Sequence, residues 1–145
     1  MLLGGVQVAE GIHLEGHSDG DAIAHAVTDA LLGAAGAGDI GAMFPDTDEA
    51  NRNRDSLEML AAAVAVVHAA GFFVGNVDVT VIAERPKLSP FREAICSTLA
   101  GVLGVESGQV SVKGKTNEGL GWIGRGEGLA CFAVASIWNV AAGES

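Results

Sequence analysis

The stretch Leu129-Ala130-Cys131-Phe132-Ala133-Val134-Ala135-Ser136-Ile137-Trp138-Asn139-Val140 decides the architecture of this chain. It reads as a strand, and it is apolar on nearly both faces, so both faces need cover. Upstream, Val110 to Lys115 is a second strand. Phe72 to Ala83 is a longer one, in which Asn76, Asp78 and Thr80 alternate against Val77, Val79 and Val81. Leu2 to Val8 reads as a short strand at the start. Helices fill the intervals. The first runs from about Gly20 to Ala35 and stops at the Gly36-Ala37-Gly38 breaker. The second begins at Asp55, with Asp55 and Glu58 as a capping-box pair, buries Leu57, Leu60, Ala61, Val64 and Val67, and ends at Gly71. The third opens on Ser89 as N-cap with Pro90 in the first turn and ends near Leu103-Gly104. Asp39 to Asp48 has no period and reads as a loop.

The order βααβαββ, without internal repeat, predicts an α/β chain of the α+β, two-layer-sandwich kind: a mixed sheet with helices on one face. Helices on one face leave the other side of the last strand bare. A second subunit is expected to cover it.

Composition agrees with one domain over residues 1–145, with 49% apolar and only 5% aromatic residues and no Tyr, so the core is built from small side chains. A formal charge of −10 argues against a nucleic-acid backbone or an anionic membrane surface as partner. A phosphorylated substrate would need a metal ion or local Lys and Arg to offset that charge. No apolar run approaches a membrane span, and the expected location is the bacterial cytoplasm. Cys96 and Cys131 are isolated in apolar segments and read as reduced core residues.

Chemistry concentrates in Gly16-His17-Ser18-Asp19-Gly20-Asp21-Ala22-Ile23-Ala24-His25. Ser18 and Asp21 read as a capping-box variant opening the first helix. Asp21, His25 and Asp29 then share one face, opposite the stripe of Ala22, Ile23, Ala26, Val27, Ala30 and Leu31. His25 points away from its own core, where a metal-ligating histidine would sit. From this helix alone, however, a solvated surface histidine is the more common case. His17, Asp21 and His25 span roughly 12 Å along the axis, too far for one ion. Any partners of His25 must come from elsewhere in the fold.

Four segments together resemble one family: 16–41 from Gly16 to Gly41, Phe44-Pro45-Asp46-Thr47-Asp48, 76–88 from Asn76 to Leu88, and 115–128 from Lys115 to Gly128. The chain is similar along its whole length to the 2-C-methyl-D-erythritol 2,4-cyclodiphosphate synthases of non-mevalonate isoprenoid biosynthesis. The resemblance implies a ferredoxin-like subunit in a homotrimer with active sites between subunits. It also implies an enzyme, a cyclising phosphorus–oxygen lyase that releases CMP from a cytidine diphosphate substrate. In that family the substrate's own phosphate is the nucleophile, so positioning and charge neutralisation carry the catalysis.

Residue by residue, the resemblance makes His25 a zinc ligand and assigns His17 and Thr116 to the reacting phosphates. Ser18 and the Asp39-Ile40-Gly41 turn match the substrate loop. Phe44, Asp46 and Asp48 match a loop over the erythritol. Ala83, Pro86, Lys87 and Leu88 match a cytidine pocket serving a neighbouring subunit. Lys115, Asn117 and Trp122 fall among the substrate-contacting positions, and Glu118 matches the carboxylate that holds Mg²⁺ or Mn²⁺ between the phosphates. Arg125 and Glu127 match positions facing the trimer axis, where the family has a cavity able to hold isoprenoid diphosphates.

The sequence departs from the pattern twice. The family's opening strand carries an Asp-x-His pair that supplies two more zinc ligands, and no Asp-x-His occurs here. The expectation is a chain shortened at its first strand, with an incomplete Zn²⁺ site and turnover in doubt. Lys115 stands where the family usually has Thr, and would meet phosphate as a charge. The competing expectation is a non-catalytic trimer that binds a phosphorylated or isoprenoid ligand.

Overall fold

The computed structural model describes residues 1–8, 20–45, 47–49 and 55–139. Its centre is a three-stranded mixed sheet formed by β3 (Phe72–Ile82), β4 (Val110–Lys115) and β5 (Ala130–Asn139), with β3 in the middle. β3 runs parallel to β4, pairing Val77 with Val110 and Ile82 with Lys115, and antiparallel to β5, pairing Phe72 with Asn139 and Ile82 with Ala130. The register against β5 shifts between Val74 and Val77.

Alternation sorts the two faces of the sheet. Val77, Val79, Val81, Val110 and Val112 are buried under α1 (Ala22–Ala34), α3 (Ser56–Ala69) and α4 (Arg92–Leu103). Ile23, Val27 and Leu31 from α1, Leu60 and Val67 from α3, and Ile95 and Leu99 from α4 complete that core. The opposite face carries Asp78 and Lys113, paired at 2.9 Å, and a run of large apolar groups. Phe132, Val134 and Trp138 are 63%, 72% and 54% exposed. Trp138 stacks on Phe73 with ring centroids 6.3 Å apart. The expectation that both faces of the last strand are covered is thus half met within one chain.

Several local expectations are corrected. Leu2 to Val8 is a small hairpin, β1 (Leu2–Leu3) against β2 (Val6–Gln7), because Gly4 and Gly5 both take positive φ and turn the chain. Asp21 does not face outward beside His25. It is fully buried as the N-cap of α1, and its carboxylate accepts from the amides of Ala24, Gly4 and Gly5 at 2.7–2.9 Å. It therefore joins the hairpin to the first helix. The proposed Ser18 cap falls in 9–19, outside the described residues.

The acyclic reading of Asp39 to Asp48 missed a one-turn helix, α2 (Ile40–Met43), with Asp39 as N-cap to Ala42 and Asp29 accepting from Ile40 at 2.7 Å. In α3 the Asp55 carboxylate accepts from Leu57 rather than Glu58, and the buried face is Met59, Leu60, Ala63, Val64 and Val67, with Ala61 exposed. Before α4, residues Ser89–Phe91 form a 3-10 turn, so the proline sits outside the α-helix proper. Gly121–Gly124 forms a further turn of helix, α5.

Candidate active site

β3 and β4 are parallel, so their carboxyl ends emerge side by side, the usual place for a ligand in a parallel sheet. The amide of Ala83 donates to the Lys115 carbonyl at 2.9 Å and carries the pairing one step beyond the strands. The chain then diverges into two loops. One runs through the cis Arg85–Pro86 bond to Leu88. The other runs from Thr116 into α5.

Between them lies a cavity of about 150 Å³, walled by Ala83, Pro86, Lys87 and Leu88 from the first loop and by Lys115 and Thr116 from the second. A complete small-molecule site occupies roughly 300–1,000 Å³, so this cavity is smaller than a complete site and has room for about one ring. Leu88 is buried and supplies an apolar wall, while the exposed Lys87 and Lys115 put two cations at the rim. Arg92, at the start of α4, also lines the cavity, and its Nε donates to the Val112 carbonyl on β4.

The second loop holds itself in shape. Asn117 Nδ2 donates to the Leu120 carbonyl at 2.7 Å, and the Glu118 amide donates to Thr116 Oγ1 at 3.3 Å. Glu118 has φ 53°, a left-handed conformation few non-glycine residues adopt, and its side chain is exposed. Gly124 packs against the backbone of Gly119 so closely that a Cβ there would fall 2.1 Å from the Gly119 carbonyl carbon. Trp122 is half exposed and lies over Gly128. Arg125 and Glu127 form an exposed ion pair.

A second group lies on the helices. His25 Nε2 is 3.0 Å from Ser56 Oγ, a fully buried hydroxyl on the first turn of α3. Asp29 and Asp39, both exposed, accept from the amides of Ile40 and Ala42 and hold α2 in place. Ile40 and Gly41 are in that short helix, Phe44 just beyond it is 7% exposed, and Asp48 is exposed. His17, Ser18 and Asp46 lie outside the described residues.

The structure therefore gathers Ala83, Pro86, Lys87, Leu88, Lys115 and Thr116 around one cavity and keeps Glu118 on the adjoining loop. His25, Asp39, Ile40, Gly41 and Phe44 are built on different elements. Among the described residues no three His, Cys, Asp or Glu side chains converge as a metal site, so the described residues around His25 do not by themselves complete a tetrahedral zinc site. A lone carboxylate fits a hard divalent ion better, because Mg²⁺ commonly takes one or two carboxylates and completes its shell with phosphates and water. The sequence reading missed Ser56 and Glu84. Both sit beside assigned residues, but nothing in local spacing shows that their side chains turn toward them.

Both cysteine thiols are held in the protonated form by burial. Burial pushes the Cys131 thiol from the ordinary 9.0 up to about 12, and the nearby Asp21 charge adds to the rise. Burial also raises Cys96, partly offset by the neighbouring Arg92.

Comparison with known proteins places these features in a family. The YgbB family model matches residues 1–138. A 2-C-methyl-D-erythritol 2,4-cyclodiphosphate synthase of Gemmatimonas aurantiaca is 65% identical over 137 residues, covering 94% of this chain and 82% of the relative. One from Bordetella petrii is 52% identical, covering 94% and 85%. Among solved structures, the CDP complex of Plasmodium falciparum IspF superposes with a TM-score of 0.83 at 39% identity, covering 94% of this chain and 82% of that one. The bifunctional IspDF of Campylobacter jejuni gives 0.92 at 43% identity. There the match covers 97% of this chain but 39% of that longer protein.

Proposed function

The chain belongs to the YgbB family, and from that premise we propose that it converts 4-diphosphocytidyl-2-C-methyl-D-erythritol 2-phosphate to the 2,4-cyclodiphosphate, releasing CMP. The observation that carries this reading is the cavity at the ends of β3 and β4, where the positions matched to cytidine recognition close around one ring-sized space. It opens beside Thr116 and Glu118, where the diphosphate of such a ligand would lie. Both of these relatives carry the synthase name, and nothing favours the non-catalytic alternative.

In the reaction an oxygen of the substrate's 2-phosphate attacks the β-phosphorus. The bond from the β-phosphorus to the oxygen bridging it to the α-phosphorus breaks, and CMP leaves with that electron pair. The chain supplies no nucleophile. Its part is to hold the two phosphates in line and to offset their charge. Leu88 and Ala83 would wall the base, Lys87 and Lys115 would meet phosphate oxygens, and the Thr116 hydroxyl would donate to an oxygen whose charge grows as the P–O bond breaks. Mg²⁺ or Mn²⁺ held by Glu118 would neutralise the diphosphate. No step is routed through zinc.

The rest of the substrate would lie beyond the cavity of one chain. The exposed face of β5 supports a homotrimer of ferredoxin-like subunits, in which a neighbouring copy brings its own His25 and Asp39 elements to this cavity. In that assembly Arg125 would face the axis, available to an isoprenoid diphosphate.

Phosphorus-31 NMR of the protein with substrate and Mg²⁺ tests the activity. The expected result is matched growth of CMP and cyclic diphosphate signals. Absence of product together with no measurable binding of CDP would overturn the reading.

A further inference from the structure

Glu84 stands two residues beyond the end of β3 and lines the nucleotide cavity, yet its carboxylate is turned onto the opposite loop. Its Oε1 accepts from the Asn117 amide at 2.8 Å and from the Gly119 amide at 3.3 Å. These two N–H groups flank Glu118, the residue with the left-handed backbone, and follow Thr116. Other hydrogen bonds of this turn, from Asn117 Nδ2 to the Leu120 carbonyl, from the Leu120 amide to the Asn117 carbonyl and from the Glu118 amide to Thr116 Oγ1, are internal to it. Glu84 thus ties the turn to the strand that walls the cavity.

We propose that Glu84 is a positioning residue, which sets the backbone at 117–119 and thereby aims the Thr116 hydroxyl and the Glu118 carboxylate at the diphosphate of a bound nucleotide. The physical reason is geometric. A single carboxylate oxygen between two amides two residues apart fixes the Thr116–Asn117 and Glu118–Gly119 peptide planes, and charged acceptors make the stronger hydrogen bonds. Because Glu84 leaves the strand one residue after Ala83, the same short segment shapes the base pocket and orients the phosphate turn. Without it the turn keeps its internal bonds but loses its fixed angle to the cavity. Glu84 itself touches no reacting atom. The inference rests on the nucleotide reading above.

The test compares Glu84→Ala and Glu84→Gln with the unaltered protein, measuring by calorimetry the affinity for CMP and for CDP with Mn²⁺. Hydrogen exchange at the Asn117 and Gly119 amides is followed in parallel. Glu84→Ala is expected to weaken CDP·Mn²⁺ on the order of tenfold, the scale of one charge-assisted hydrogen bond. CMP, whose base and single phosphate ask less of the turn, should change less than threefold. Exchange at both amides should accelerate. Glu84→Gln keeps an acceptor oxygen and is expected to restore most of the CDP affinity.

Equal weakening of CMP and CDP would make Glu84 merely a wall of the pocket and overturn the proposal. So would unchanged CDP binding, or unchanged amide exchange in Glu84→Ala. If Glu84→Ala fails to fold, Glu84→Gln decides: near-normal CDP affinity with intermediate exchange supports the role, and unaltered exchange refutes it. An unaltered protein that binds neither nucleotide sinks the nucleotide reading and the aiming role with it, and amide exchange still separates that failure from loss of the tether.

Discussion

Glu118 combines an exposed carboxylate with a backbone that favours glycine, an arrangement that costs stability and serves no packing purpose. Under the proposed function, its value lies in where it places the carboxylate. Glu118→Gln keeps the shape and loses the charge, so the Mn²⁺ concentration needed to support CDP binding is expected to rise about tenfold, while the thermal midpoint stays put. Calorimetric titration at limiting metal checks this, and an unchanged metal requirement would remove Glu118 from the metal-binding role. Cys131 gives a second expectation at this scale. Its thiol is held up at about 12, so an unfolded chain loses the proton from 9.0 upward while the folded one keeps it. Stability from this group is therefore complete below pH 9 and declines as pH rises toward 12. Maleimide should leave Cys131 unlabelled at pH 8 in native protein, and melts between pH 8 and pH 11 should show the decline flattened in Cys131→Ala.

At the scale of elements, Asp21 does most to connect the chain. Fully buried, it caps α1 and accepts from both glycine amides of the β1–β2 hairpin. Asp21→Ala removes a helix cap and strands two hairpin donors, a loss of about 3 kcal/mol. Asp21→Asn, which keeps one good acceptor, should cost less than half of that. Denaturant unfolding of both variants measures the difference. Such a residue marks the limit of what the sequence discloses. The strands β3, β4 and β5 and helices α1, α3 and α4 were legible because period and punctuation are local properties of residues such as Val77–Val81 and Gly104. Asp21 was read onto the wrong side of its helix because the partners that bury it are 16 and 17 residues away. In α2 the Asp39 cap to Ala42 is local, but the contact that anchors the turn, Asp29 accepting from Ile40, again comes from a separate element. At the site, motif positions named the cavity walls, but Glu84 and Ser56 came into view only where strands and helices bring distant segments together.

At the scale of the whole molecule, one face of the sheet is a problem that a single chain does not solve. Phe132, Val134 and Trp138 stand exposed in a protein with formal charge −10, and Phe73 extends the patch through its stack with Trp138. Contiguous apolar surface of this kind marks an interface. A lone exposed strand face would instead invite indiscriminate association. The apolar groups alternate with the core-facing Cys131, Ala133 and Ala135 along one strand, so no change of rotamer can turn them inward. Sedimentation at micromolar concentration should therefore show a homotrimer, and a stable monomer would refute it. Val134→Asp places a charge at the centre of the patch. Because Val134 is 72% exposed in the single chain, that substitution should change subunit folding by less than about 0.5 kcal/mol, the range of ordinary surface changes. The variant is expected to sediment as a folded monomer with native circular dichroism and red-shifted Trp138 emission. It should still bind cytidine monophosphate weakly, since the base cavity belongs to one chain, and show no turnover, since His25 and Asp39 would no longer be supplied from a neighbour. A Val134→Asp monomer with full activity would place the complete site within one subunit.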